Sequence, residues 1–205
     1  MLDRSVRKLI DPLLEHPARW LSARRVSANT ITVVGFLIGV LACVAIGFEK
    51  YRVGLVLLAL NRICDGIDGT LARLTKPTDL GGFLDIVLDM LFYAGVPLAF
   101  AIRNPELRLP ALFLVFSFIG TSGSFLAFAT ITARRGISSD RVGKKSFYYS
   151  TGLMEGTETI IFFVLFCIFP AHFAGLAWTF GTLCCLTTAL RIRAAIAEFS
   201  SSAES

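Results

Sequence analysis

Six apolar runs, each about as long as a bilayer is thick, decide what this chain can become. They lie near residues 31–48, 53–73, 80–102, 109–133, 148–169 and 172–194. Hydrocarbon offers the backbone no hydrogen-bond partner, so each run must satisfy its own N–H and C=O groups by forming a helix. The connections between runs are short, and neighbouring spans are therefore expected to be antiparallel. Of the 205 residues, 55% are hydrophobic and only 17% are charged, more apolar side chain than a soluble domain of that length can bury. The sequence predicts an all-α polytopic membrane protein with six transmembrane helices, forming one domain over 1–205.

The first 28 residues read differently. Leu2, Val6, Ile10, Leu13 and Leu14 recur at helical spacing, with Arg4, Arg7, Lys8 and Arg19 between them. Such a helix is amphipathic and is expected to lie at the membrane interface rather than cross it. Pro12 and Pro17 are expected to bend or break it. The bundle proper is expected over 31–194, with a flexible tail over 195–205.

The basic residues set an orientation. Arg24 and Arg25 join the N-terminal group before the first span, and Arg73 and Lys76 lie between the second and third. Arg134, Arg135, Arg141, Lys144 and Lys145 lie between the fourth and fifth, and Arg191 and Arg193 close the sixth. The opposite side has only Lys50, Arg52, Arg103 and Arg108. Positive charge stays inside, so both termini are expected in the cytoplasm. The net charge of +5 is then a topology signal and an attraction to anionic headgroups, not a nucleic-acid footprint. Cys43, Cys64, Cys167, Cys184 and Cys185 all fall in apolar runs without metal-ligand spacing and read as core residues.

Four aspartates interrupt this apolar plan. Asp65 and Asp68 stand three residues apart near the end of the second span, and Asp85 and Asp89 four apart near the start of the third. Each pair shares a helix face. The topology puts all four at similar depth on the cytoplasmic side. A carboxylate at the centre of a membrane helix costs roughly 2.5–3.5 kcal/mol on insertion scales, so intramembrane acids mark function. Antiparallel packing would bring all four together, where they would repel unless hard divalent cations held them ionised. Mg²⁺ and Mn²⁺ favour such oxygen ligands and keep positions open for phosphates. Gly66, Gly69, Gly81 and Gly82 leave room beside the cluster.

The run Asp65-Gly-Ile-Asp68-Gly69-Thr-Leu-Ala72-Arg73, followed by Gly81-Gly82-Phe-Leu-Asp85-Ile-Val-Leu-Asp89, resembles the signature of the CDP-alcohol phosphatidyltransferase family, D-x2-D-G-x2-A-R-x8-G-x3-D-x3-D. Every fixed residue matches. Seven residues, "LTKPTDL", separate Arg73 from Gly81 where eight are usual. "SANTITVVGF" also resembles the family's entry to its first span, with Ala28 in place of proline and Asn29 and Thr32 kept. The chain looks most like the YnjF-type bacterial branch. The resemblance implies a bacterial inner-membrane enzyme with a cytoplasmic active site, commonly a homodimer. It implies transfer of a phosphatidyl group from a CDP-linked lipid, CDP-diacylglycerol in most members, to a small water-soluble alcohol, with release of CMP. It also implies that Asp65, Asp68, Asp85 and Asp89 hold two divalent cations, Mg²⁺ or Mn²⁺, and that Asp89 is the general base. Asn61, Gly69, Ala72, Arg73, Gly81 and Gly82 would form the CDP pocket.

Acceptor choice is less constrained. Arg134, Arg135, Lys144 and Lys145 are candidates for an acceptor phosphate, which favours glycerol 3-phosphate. Glu155 and Glu158 in the fifth span suit hydroxyls or an amine instead, keeping inositol-type, amino-alcohol and other polyol acceptors open; alternatively they pair with Arg62, Lys144 or Lys145. Membrane prenyltransferases also bind diphosphates through aspartates, but on longer chains and without the D-G-x2-A-R core. A divalent-cation transporter would need its acids at the bilayer centre.

Overall fold

The structure, a computed structural model, describes residues 3–135 and 154–201. All secondary structure among them is helical: α1 (Asp3–Ala23), α2 (Ala28–Gly47), α3 (Tyr51–Leu74), α4 (Asp79–Ala101), α5 (Arg108–Arg134), α6 (Gly156–Ile168) and α7 (Phe173–Ser201). Short 3₁₀ turns at Pro105–Leu107 and Pro170–His172 lead into α5 and α7. Four stretches are long and apolar enough to cross a bilayer: Ala28–Gly47, Asp79–Ala101, Pro105–Arg134 and Pro170–Ser200. α3 is 24 residues long but carries Arg62, Asp65, Asp68 and Arg73. α6 has 13 residues, and the start expected for the fifth span, 148–153, lies outside the described residues.

Local chemistry fixes where the helices begin. The Ser27 hydroxyl accepts from the Thr30 amide at 3.1 Å and caps α2. Thr78 does the same for α4 through the Gly81 amide, also at 3.1 Å. α2 packs against α3 and α4, α5 against α7, and α1 along α3. Close approach comes from small residues. A Cβ on Gly35 would lie 2.8 Å from the Cys64 Cβ, and one on Gly39 would lie 2.8 Å from the Phe92 ring. On the other side of the bundle, a Cβ on Gly181 would reach 2.6 Å from Phe113. The core between these layers is aromatic, with Phe163, Phe166, Phe173 and Phe180 fully buried.

Two segments are continuous helix where the sequence suggested less order. α1 runs unbroken through Pro12 and Pro17. Each proline removes a rung of the helix, but the segment is held from outside by α3. The Leu14 side chain fills the space over Gly66, where a Cβ would stand 2.5 Å from it, and Ala18 is fully buried. α7 also continues to Ser201, through residues expected to be flexible. Phe199 stacks on Phe128 with ring centroids 5.3 Å apart, and Arg135 lies 4.8 Å over the Phe199 ring.

Candidate active site

α3 and α4 both pack on α2 rather than closely on each other, and the four aspartates line one cavity together with Thr32, Gly35 and Phe36 of α2. Asp65, Asp68 and Asp85 each present a carboxylate oxygen within 4.8 Å of the others. Asp68 is buried, and its Oδ2 has no hydrogen-bond partner. A buried carboxylate oxygen without a donor is costly. Together with the carboxylates of half-buried Asp65 and exposed Asp85 it makes a hard oxygen donor set of the kind that Mg²⁺ or Mn²⁺ takes, so the residues present fit divalent cations.

Asp89 lines the same cavity but faces a guanidinium. Arg62 Nη2 donates to Asp89 Oδ1 at 2.8 Å, and Nη1 lies 3.4 Å from Oδ2. Nη1 also stands 3.6 Å from Asp65 Oδ2 and 3.3 Å from the Tyr93 hydroxyl. Arg62 Nε donates to Asn61 Oδ1 at 2.7 Å, while Asn61 Nδ2 donates to the Gly35 carbonyl at 2.8 Å. The arginine thus partly neutralises the acids and links α2, α3 and α4 at their level. Asn61, 3% exposed, belongs to this network and lines the aspartate cavity, not the cleft beside it.

Beside the cluster a cleft of about 570 Å³ opens between the α1–α2 corner, the end of α3 and the start of α4. Asp68 and Asp85 line it together with Gly69, Ala72, Gly81 and Gly82. The two adjacent glycines have different duties. A Cβ on Gly81 would come within 2.8 Å of Asn29 Oδ1, whereas one on Gly82 would meet nothing within 4 Å. Gly81 is small so that α4 can pass Asn29; Gly82 keeps the cleft open. Arg73 donates to Thr70 Oγ1 at 3.0 Å, folded back over its own helix. Arg25, Lys76, Asn29 and Thr32 also line the cleft. Sequence reading took Arg25 and Lys76 only as topology signals.

Among the described residues, no candidate acceptor residue lines the aspartate cavity or the cleft. Arg134 and Arg135 end α5 and line neither the aspartate cavity nor the cleft. Lys144 and Lys145 lie outside the described residues. Glu155 and Glu158 form a capping box at the start of α6, in which the Glu155 amide donates to Glu158 Oε2 at 3.2 Å. Arg62 is committed to Asp89 and Asp65 rather than to either glutamate.

A model of the family described as CDP-alcohol phosphatidyltransferase matches residues 25–194. The chain belongs to the CDP-alcohol phosphatidyltransferase family. It is an integral membrane transferase of phospholipid biosynthesis, from a family that is generally dependent on divalent cations. CDP-alcohol phosphatidyltransferases use a CDP-lipid donor and an alcohol acceptor. The chain is 50% identical over 193 residues to the inner membrane protein YnjF of Escherichia coli K12, covering 94% of each. It is 28% identical over 184 residues to phosphatidylcholine synthase of Mesorhizobium japonicum, covering 85% of this chain and 63% of that one. Its fold matches the crystal structure of Mycobacterium tuberculosis phosphatidylinositol phosphate synthase with CDP-DAG bound, at a TM-score of 0.68 and 18% identity, over 90% of this chain and 94% of that one.

Proposed function

We propose that this protein transfers a phosphatidyl group from CDP-diacylglycerol to the hydroxyl of a small polar alcohol and releases CMP. The observation that carries the reading is the meeting of three carboxylates from α3 and α4, two of which line a glycine-bordered cleft. Asp65, Asp68 and Asp85, with Asp89, would hold two divalent cations, Mg²⁺ or Mn²⁺, which when bound supply charge neutralisation and polarisation of the donor diphosphate. Gly69, Ala72, Gly81 and Gly82 leave the cleft wide enough for the nucleotide, with Arg73 at its edge. Asp89 takes the acceptor's proton as general base. Arg62 grips its Oδ1 at 2.8 Å and leaves Oδ2, at 3.4 Å from the nearer nitrogen, as the oxygen freer to receive it.

The arrangement also serves a lipid substrate. α3 and α6 complete a six-span bundle over 31–194, with α1 lying along the cytoplasmic interface and both termini on that side. A lipid tail then stays in the bilayer while its headgroup reaches the aspartates and the alcohol arrives from water. The family's habit supports a homodimer in the inner membrane. Glycerol 3-phosphate is the acceptor to try first, with Arg134, Arg135, Lys144 and Lys145 as its phosphate-binding candidates. Relatives named for choline and for inositol phosphate keep both of those acceptor types in the panel.

The test is to supply purified protein with labelled CDP-diacylglycerol and Mg²⁺ or Mn²⁺, together with glycerol 3-phosphate, inositol phosphate, inositol, serine, choline or glycerol in turn. CMP release with one of them, lost in excess EDTA and restored by added metal, is the expected result. Undiminished activity in EDTA would remove the cation-dependent mechanism, and metal transport without nucleotide chemistry would favour a transporter.

A further inference from the structure

We propose that Arg25, at the corner between α1 and α2, binds the nucleotide-side phosphate of the donor. The proposal rests on the cleft being the donor's, and adds a residue from outside the aspartate motif. α1 ends with the Val26 amide donating back to the Leu21 carbonyl at 3.1 Å and the Arg25 amide donating to Ser22 at 2.9 Å. Arg25 itself has a φ of 58°. Helix ends of this kind favour glycine there, because left-handed backbone crowds a Cβ. An arginine gives up that ease, and its side chain is turned to use as part of the cleft wall.

The surroundings say what that use is. Lys76, Asp68 and Asp85 line the same cleft, and Gly69 and Gly82 add no side chain to it. The neighbouring Arg24 is occupied, its guanidinium 4.0 Å over the Trp20 ring. Among the described residues the ion pairs are formed by Arg19 and Arg62, not by Arg25. A guanidinium fork grips phosphate oxygens in pairs. A cleft whose lining holds both basic side chains and cation-binding carboxylates matches a ligand with two adjacent phosphates, one for each. A single anionic headgroup would match Arg25 but has no need of a cleft that reaches Asp68.

Glu49 supplies a control. It has the same left-handed backbone, with φ 61°, at the far end of α2, where the Lys50 amide donates back to Ala45 at 2.8 Å. The experiment measures CMP binding with Mn²⁺ by calorimetry, using the full chain in nanodiscs of phosphatidylcholine, beside the melting temperature. Arg25→Gly is expected to weaken CMP binding about ten-fold while raising the melting temperature by about 2 °C. Arg25→Gln should weaken binding without that gain, and Arg25→Lys should fall between Arg25→Gln and the parent protein. Glu49→Gly should gain the same stability with unchanged CMP affinity. Arg25→Gly and Arg25→Gln that bind CMP as tightly as the parent overturn the proposal. So does a loss that appears only in discs containing phosphatidylglycerol, which would assign Arg25 to a lipid headgroup. A parent protein that binds no CMP at all would sink the donor-cleft reading itself, and Arg25's role with it.

Discussion

The helices α2, α3 and α4 border a hollow at each end, and the two hollows differ in what their lining can bind. At the aspartate end the cleft of about 570 Å³ leads to three converging carboxylates. At the opposite end a cavity of about 310 Å³ is lined by Glu49, Tyr51, Phe100 and Arg103. There Tyr51 stacks on Phe100 at 5.4 Å, Phe100 stacks on Phe173 at 4.4 Å, and Arg103 lies 5.3 Å over Phe48. Both hollows carry charge and both have a left-handed charged residue at the rim. Space and charge alone therefore do not make a reaction site. Like charges brought together from two helices suit one better, because a bound divalent cation makes that arrangement favourable.

Substitution at the two ends tests this contrast most directly. Asp68→Asn should reduce turnover by at least about 10³-fold, while Glu49→Gln and Arg103→Gln should leave it unchanged. Steady-state CMP release reads both, and equal losses at the two ends would erase the distinction. Asp89→Asn should keep the fold and cost about 10²-fold or more as the loss of a general base. Ordinary turnover in that variant would take the base role away from Asp89. The smallest effect separates neighbours within the cleft. Gly81→Ala forces a methyl against Asn29 and should cost about 1–2 kcal/mol in stability, whereas Gly82→Ala points into open space and should stay within about 0.5 kcal/mol. Thermal melting compares the pair; if Gly82 proves the costlier, the assignment of duties between them is reversed.

Much of this was legible in the residues. The aspartate spacing predicted the shared faces of α3 and α4, and the apolar runs located α2 to α5 within a few residues of their observed ends. Period and length are local properties, and sequence states them directly. Pairings across helices are not local. Arg62 stands on α3 among apolar neighbours, and only the way α3 and α4 both sit on α2 delivers it to Asp89 rather than to a glutamate of α6. The contact between Asn29 and Gly81 depends in the same way on how α2 meets α4. Glu155 and Glu158 did carry a local signal, since acids three apart at a helix start cap it, but their depth in an apolar segment drew attention to chemistry instead. The extent of α7 turned on Phe199 finding Phe128, a distant partner for a residue in a serine-rich tail.

The chain of donors from Arg62 through Asn61 to the Gly35 carbonyl gives the buried amide at residue 61 an influence out of proportion to its reach. It fastens three helices at the depth of the reacting groups without facing the open cleft. A random-mutagenesis screen for dead enzyme should therefore return position 61 alongside the aspartates. Its failure would come from slipped alignment, with substrate affinity and rate declining together.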